Sequence, residues 1–262
     1  MKYSKEQIRE LESTVGDRLE GLTRLKRKCI TSPGPGDPPA VAEYMHHGVS
    51  RRLGMLVHTI ASVFSEFPTT TTAKLERDVL MRVQANLHAF YINLVGTFDN
   101  FAWCYVHLHS LDVGGPLNVD MFKPKLQQRL PPDVSSYLAS DETQNWHKNY
   151  LKNYRDALAH RIPMYVPSSA FVEDEGKRYK ELEAQINEAI MSHEFDLVDR
   201  LRNEQDALGS PSFMFAHSFY EKGATGPLIL HPQMLVDTAT VIEFGNLFLD
   251  HWRTPPVPLS PP

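Results

Sequence analysis

The chain has 262 residues, of which 42% are hydrophobic and 23% are charged, and its formal net charge is −5. These values are ordinary for a globular protein and allow one large domain or two small ones. The negative charge argues against a protein that coats nucleic acid, but it leaves room for a local basic groove. The candidates are residues 24–28, Arg51-Arg52 and the face of Lys148, Lys152 and Arg155.

The sequence has no feature of a membrane protein or an exported one. No apolar run approaches the ~20 residues that a membrane-spanning helix needs, and the N-terminal residues MKYSKEQIRE lack the apolar core of a signal peptide. Cys29 and Cys104 have no paired spacing, which argues for a reducing compartment and against a disulfide scaffold or a thiolate zinc site. We therefore expect a cytoplasmic protein that binds no membrane.

The first half of the chain has the apolar periodicity of helices. Residues 5–28 carry apolar side chains at spacings of three or four, and the proline- and glycine-rich residues 31–39 form a linker. A second helix is predicted over 40–66. Residues 73–111 have a very long helical pattern, with a kink expected near Gly96.

Shorter helices lead to the segment with the most distinctive pattern. We expect helices near 120–129 and 131–139, followed by a helix over 141–161. Ser140 and the two acids after it mark the N-terminus of this last helix. Its C-terminus falls before Pro163, because the residue before a proline avoids helical backbone angles.

The C-terminal part of the chain combines helices and strands. A charged helical hairpin is predicted over 174–208. Residues 212–220 and 226–231 are predicted to be the two strands of a β-hairpin, with turn residues between them. A final helix is predicted over 233–252.

The helix over 141–161 separates into two faces when each residue is given about 100° of rotation. One face is apolar, and we expect it to be buried. The opposite face is polar and carries Lys148, Asn149, Lys152, Asn153, Arg155, Asp156 and His160.

Arg155, Asp156 and His160 fall within the run RDALAH at the end of this helix. Arginine is a permanent cation whose planar fork fits phosphate oxygens, and histidine changes its protonation near neutral pH. Five residues correspond to about 140° of rotation on an ideal helix, so Arg155 and His160 of one chain point in different directions. They could meet through long side chains and a loosened helix end, or across a symmetric dimer. The structural alternative is a solvated arginine and a histidine that favours the helix dipole.

The RDALAH run resembles the motif of the HEPN superfamily of small helical domains, in which an arginine and a polar residue precede a histidine near the end of the last core helix. The resemblance implies a helical bundle, dimerisation through the motif helices and, in many members, metal-independent RNA cleavage. It covers the motif closely and the rest of 40–162 only as a succession of helices. Position 162 is Ile, whereas the members that pair with nucleotidyltransferase antitoxins have a tyrosine there, so the resemblance does not extend to that pairing.

The predicted hairpin has a second resemblance. Residues 182–208 resemble the UVR motif, a short helical hairpin that serves protein–protein contact in excision-repair and protease-adaptor proteins. The matching residues are Leu182, Glu183, Ile186, Ala189, Glu194, Phe195, Leu201, Arg202 and Glu204. The pattern also predicts a small apolar cluster between the two helices, made of Ile186, Ile190, Phe195, Val198 and Leu201. So small a pair must dock on the main domain, on a second copy or on a partner.

Asp99 and Asn100 are polar residues inside the most aromatic part of the 73–111 pattern. They either form hydrogen bonds within their own helix or face the helix of Arg155 and orient it. His147 falls on the apolar face, where we expect a core histidine with its hydrogen bonds satisfied. No metal and no cofactor is expected, because the chain has no His-Glu-x-x-His pattern, phosphate-cradling glycine loop or dinucleotide fingerprint.

Together these patterns predict a mainly α protein, a HEPN-like helical bundle with a helical-hairpin insertion and a small β-hairpin. The predicted units are an N-terminal helix and linker over 1–39, a HEPN-like domain over 40–253 and a proline-rich tail over 254–262. The domain includes the insertion at about 174–208 and the β-hairpin at about 212–231.

The favoured function is a metal-independent endoribonuclease of the HEPN type in a toxin or defence role. His160 would transfer a proton, Arg155 would stabilise charge on the phosphate and Asp156 would orient either residue. Single-stranded RNA and a second copy of the chain are the expected partners. The residues expected to guide RNA or to support the site are Lys148, Asn149, Lys152, Asn153, Asp99 and Asn100.

Two other functions compete with this one. The chain could be a non-catalytic HEPN-like module that binds a nucleotide, or a protein partner through the 174–208 hairpin. It could also be a purely structural dimer.

Overall fold

The computed structural model describes residues 2–218 and 226–258. It is 70% helical, and the described residues contain one two-stranded antiparallel sheet. The predicted mainly α fold class with a small β-hairpin is therefore confirmed. In this part of the chain, no helix combines the length and the apolar composition that crossing a membrane requires.

The first helices form the framework of the bundle. In chain order they are α1 (Lys5–Thr31), α2 (Pro39–Glu43), a π-helical turn (Tyr44–Val49), α3 (Ser50–Glu66) and α4 (Arg77–Leu108). Apolar residues three or four apart give α3 one buried stripe, which stabilises this stretch as an amphipathic helix. The stripe includes Leu53, Leu56, Ile60 and Val63. α4 continues through Gly96 as one uninterrupted helix.

The middle of the chain consists of shorter elements. They are a 3₁₀ turn (Pro116–Asn118), α5 (Pro124–Gln127), α6 (Pro132–Ala139), α7 (Asp141–Asn145), a π-helical turn (Trp146–Leu151) and α8 (Lys152–His160). Ser140 caps α7 by accepting a hydrogen bond from the backbone N–H of Thr143. The helix predicted over 141–161 is thus interrupted by one π-helical turn. Such turns inside α-helices occur frequently at functional sites.

α9 (Glu173–Met191) and α10 (Phe195–Ala207) form the predicted helical hairpin. Two of the residues predicted to pack inside it do not, since Ile190 is 38% exposed and Phe195 is 63% exposed. Both lie next to the turn between the two helices, where the hairpin does not cover them. The buried cluster of the hairpin is separate from the main core and consists of Ile186, Ala189 and Val198.

The sheet is shorter than its sequence pattern predicted. β1 (Met214–Phe215) pairs antiparallel with β2 (Leu228–Ile229), with Met214 opposite Ile229. Residues 219–225, which fall in the predicted β-hairpin, lie outside the described residues. The strands themselves therefore have two residues each.

The final helix, α11 (Leu230–His251), closes the bundle against α1 and α3. One main core contains apolar side chains from α1, α3, α4 and α11. α1 is part of this core, because it buries Leu22, Leu25 and Cys29 there. Of the predicted tail, residues 255–258 have no regular structure and residues 259–262 lie outside the described residues.

A buried carboxylate ties the segment before α8 to the bundle. The Oδ1 atom of Asp237, a fully buried residue of α11, accepts hydrogen bonds from Trp146 Nε1 (2.9 Å) and Gln233 Nε2 (3.0 Å). Its Oδ2 atom accepts from the hydroxyls of Tyr150 and Tyr91. Burial raises the pKa of Asp237 to about 6, and these hydrogen bonds oppose the rise. They fix the second π-helical turn to α4 and α11.

Candidate active site

The fold presents the polar face of α8 towards solvent. Tyr154 and Ala157, three residues apart, are buried and hold one side of the helix against the bundle. The polar residues beside them reach the surface to different extents. Arg155 and Asp156 are half-buried, and His160 is exposed at the C-terminal end.

The structure brings Arg155 and Asp156 together. Arg155 Nη1 lies 3.1 Å from Asp156 Oδ1, and the two side chains are 39% and 28% exposed. Within the described residues, His160 forms no hydrogen bond or ion pair with either of them. One chain thus offers a paired guanidinium and carboxylate, with a histidine placed apart from them on the same helix.

Behind Arg155 is a small polar cavity of about 20 Å³. A cavity of this size accommodates about one water molecule, so it is too small to be a nucleotide pocket. Arg155 Nε and His147 Nδ1 are both buried and have no hydrogen-bond partner among the described residues. The residues that line the cavity are Val95, Phe98, Asp99, Asp120, Phe122, His147, Leu151 and Arg155.

Two groups of this cavity have shifted pKa values. Burial raises the pKa of Asp99 to about 6, and the nearby charge of Asp120 adds to the rise, while Arg155 and Arg52 oppose it. Burial lowers the pKa of His147 to about 4, against the opposing influence of Asp120. At neutral pH, His147 is therefore neutral and Asp99 is mostly ionised beside Arg155.

Asp99 and Asn100 have different surroundings. Asp99 lines the cavity with Arg155, which is the placement expected of a residue that orients α8. Asn100 Nδ2 donates a hydrogen bond to the Gly96 carbonyl of its own helix, and its side chain packs so closely on Gly48 that a Cβ atom there would clash. Only Asp99 of the two is thus next to the motif.

The predicted RNA-guiding residues lie around the π-helical turn and the start of α8. Lys148 and Lys152 are exposed and form no ion pair within the described part of the chain. Asn149 Nδ2 donates to Asn145 Oδ1 (3.0 Å), and Asn153 Nδ2 donates to the Asn149 carbonyl (3.1 Å). The two lysines therefore contribute free positive charge, while the two amides partly satisfy the local backbone and one another.

The sequence analysis missed two features of the cavity. His147 is not the satisfied core histidine that the pattern predicted, because its Nδ1 is unpaired and its ring stacks on Phe122 at a centroid distance of 3.6 Å. Asp120 was not among the predicted site residues. It lies in the segment between α4 and α5, and no local pattern could place a loop carboxylate beside a helix that begins later in the chain.

Among residues 2–218 and 226–258, no group of three or more His, Cys, Asp or Glu side chains is arranged to hold a metal ion. Comparisons of the chain with protein-family models, with curated proteins and with solved structures found no match.

Proposed function

We propose that this protein is a metal-independent endoribonuclease of the HEPN type, which cleaves RNA to 2′,3′-cyclic phosphate ends. The observation that supports this most directly is the arrangement on α8, where Arg155 is paired with Asp156 and His160 is exposed on the same helix. RNA supplies its own nucleophile, the ribose 2′-hydroxyl. The proposed reaction therefore needs no metal-activated water.

In the proposed reaction, the 2′-oxygen attacks the adjacent phosphorus and the bond from phosphorus to the 5′-oxygen breaks. One proton leaves the 2′-hydroxyl and one is given to the departing 5′-oxygen. His160 performs one of these two transfers, because histidine accepts and donates protons near neutral pH, and solvent water performs the other. Arg155 stabilises the charge that develops on the phosphate oxygens.

The role of Asp156 is to orient Arg155. A guanidinium has five N–H donors, and the ion pair with Asp156 occupies Nη1 only. Other donors remain for phosphate oxygens. On one helix, Arg155 and His160 point about 140° apart. In a dimer formed through α8, His160 of one chain and Arg155 of the other would form one site.

Single-stranded RNA is the proposed substrate, because the attacking 2′-oxygen must align with the leaving oxygen and a duplex restricts that alignment. The exposed Lys148 and Lys152 lie on the motif face and would contact its phosphates. A toxin or defence role in the cytoplasm fits an enzyme that destroys RNA and is part of this proposal.

The test is cleavage of labelled single-stranded RNA in excess chelator by the wild type, Arg155→Ala and His160→Ala. We expect cleavage by the wild type alone. The exposed His58 of α3 offers a matched control, and His58→Ala should cleave like the wild type. No cleavage by the wild type, or equal cleavage by all variants, would remove the motif from consideration as a catalyst.

One observation favours the alternative of a partner-binding module. At the turn of the α9–α10 hairpin, Met191 is 82% exposed, Phe195 is 63% exposed and Ile190 is 38% exposed. Exposed apolar side chains grouped at one site are typical of an interaction surface. The double substitution Met191→Ser with Phe195→Ser removes this surface without touching α8. Loss of self-association or partner binding in this variant, together with an inactive wild type, would favour the alternative.

A further inference from the structure

Arg52 has an unusual position against α4. It lies at the start of α3, and its guanidinium is placed directly over Gly96, where any Cβ atom would clash with it. Its Nη1 donates to the Ile92 carbonyl (3.5 Å) and to Asn93 Oδ1 (3.4 Å). The missing side chain at position 96 is therefore what allows this guanidinium to lie flat on the helix.

This position is close to the candidate active site. Gly96 and Asp99 are three residues apart on α4, so they share one face of the helix. Arg155 of α8 lines the cavity that contains Asp99. Both Arg52 and Arg155 act electrostatically on Asp99. Asp99 thus has a guanidinium from α3 and a guanidinium from α8 as its neighbours.

The charge of Arg52 is available to an anion. Its hydrogen-bond partners are a carbonyl and an amide, both neutral and both at long distances. Among the described residues, no carboxylate forms an ion pair with it, unlike Arg155, which is paired with Asp156. Arg52 is also partly exposed. A guanidinium in these surroundings keeps most of its N–H donors for a ligand.

We propose that Arg52 is a second phosphate-binding residue, which contacts an RNA phosphate neighbouring the one held by Arg155. The inference rests on the proposed function and extends it by one substrate contact. Planar guanidinium forks suit phosphate oxygens, and consecutive phosphates of one strand present charges that two such groups can hold. Asp99 lies close to both cations and lowers their mutual repulsion.

The salt dependence of RNA binding tests this directly. The probe is a short single-stranded 2′-O-methyl RNA, which lacks the nucleophilic hydroxyl and stays intact. For a single strand, log K falls with log salt, and the steepness of that fall, called the slope below, decreases by about 0.7 for each lost phosphate contact. We expect Arg52→Ala and Arg155→Ala each to lower the slope by about this amount.

Gly96→Ala is the most discriminating variant. The added methyl group displaces the Arg52 guanidinium but leaves its charge in the protein, so the slope should fall as it does in Arg52→Ala. Gly16→Ala is the matched control, because nothing lies within 4 Å of a Cβ atom at that helical position.

The outcomes separate the two proposals. Unchanged slopes in Arg52→Ala and Gly96→Ala, with a reduced slope in Arg155→Ala, would overturn the role of Arg52 and leave the proposed function standing. Absence of RNA binding by the wild type would overturn both. Should Arg52→Ala fail to fold, Arg52→Gln decides, since glutamine keeps a donor towards Ile92 but removes the charge. A reduced slope in that variant supports the proposal, and an unchanged slope overturns it.

Discussion

The side chains around Arg155 contribute in different ways. Asp156 pairs with it directly at 3.1 Å, while Asp99 and Asp120 line the cavity behind it. The ion pair with Asp156 restricts the orientations of the guanidinium, which is useful for a group that must face a phosphate. His147 differs from these acids, because it is half-buried and neutral, and its buried Nδ1 has no hydrogen-bond partner among the described residues.

His147→Phe should therefore stabilise the fold. Phenylalanine keeps the stack on Phe122 and removes a buried polar atom without a partner, a change worth about 1 kcal/mol at neutral pH. Burial lowers the pKa of His147 to about 4, whereas an unfolded histidine titrates near 6.5. Between these values the unfolded chain binds more protons, so wild-type stability falls as the pH falls. The advantage of the variant should grow in that window.

Urea denaturation at pH values on either side of this window measures the effect. The same substitution at the exposed His58 serves as a control and should not stabilise the fold. An advantage of His147→Phe that does not grow towards acidic pH would show that His147 titrates normally in the folded protein.

At the scale of elements, α8 depends on a contact far away in the chain. Trp146 and Asp237, whose hydrogen bond holds the π-helical turn, are 91 positions apart. The turn is thus fixed by α11 and α4 rather than by its own sequence. The position of the motif face accordingly follows from tertiary structure as well as from helix periodicity.

Asp237→Asn tests this contact. Asparagine keeps an acceptor oxygen but does not titrate. Burial raises the pKa of Asp237 to about 6, so between about pH 4 and 6 the folded chain holds a proton that the unfolded chain has lost. The contribution of Asp237 to stability is therefore present below about pH 4 and is lost as the pH rises through 6. Two pKa units correspond to about 3 kcal/mol.

The stability difference between the wild type and Asp237→Asn should thus shrink by about 3 kcal/mol from pH 4 to pH 7. Chemical denaturation at both pH values gives the two differences, and the shifts of other groups, which both proteins share, cancel. A difference that is constant or grows with pH would contradict a raised pKa for Asp237.

We expect the bundle to fold without the α9–α10 hairpin. Ala170 and Ser210 exchange backbone hydrogen bonds of 2.8 and 2.9 Å, so the chain enters and leaves the hairpin at neighbouring points. Replacing residues 173–207 by a short Gly-Ser linker should leave cooperative thermal unfolding and RNA cleavage intact. Circular dichroism measures thermal unfolding, and the assay in excess chelator measures RNA cleavage. Loss of cooperative unfolding would show that the hairpin belongs to the main core.

The sequence predicted the elements that are determined by residues close together in the chain. Apolar periodicity predicted α1, α3, α4 and α11 and the helical hairpin, and Ser140 and Pro163 bounded the motif segment. Features with a distant cause were not predictable. The π-helical turn depends on Asp237, and the polar cavity depends on a loop that carries Asp120 to α8. The apolar pattern of the two helices predicted that Ile190 and Phe195 lie inside the hairpin, but both are exposed in the structure.

For the whole molecule, the proposed reaction requires two copies of the chain. Arg155 and His160 make no mutual contact within one chain. A two-fold axis that relates the α8 helices of two chains would place Arg155 of each chain beside His160 of the other. Mixing Arg155→Ala with His160→Ala should then restore cleavage. Random pairing makes half of the dimers mixed, each with one intact site, so about a quarter of the wild-type activity should return.

The control for this mixture is each variant alone at the same total concentration, which should stay inactive. A mixture as inactive as its components would show that the arginine and the histidine of one chain act together, or that the motif is not catalytic. Analytical ultracentrifugation of the wild type decides whether a dimer exists at the assay concentration.

The most direct measurement is cleavage of two RNA strands that differ by one atom. Once a cleaved bond has been mapped in excess chelator, the same strand is made with a single 2′-deoxynucleotide on the 5′ side of that bond. We expect 2′,3′-cyclic phosphate ends on the first strand and no cleavage at the altered bond of the second. Cleavage at the 2′-deoxy position, or products that end in a 3′-hydroxyl, would contradict a reaction through the 2′-oxygen.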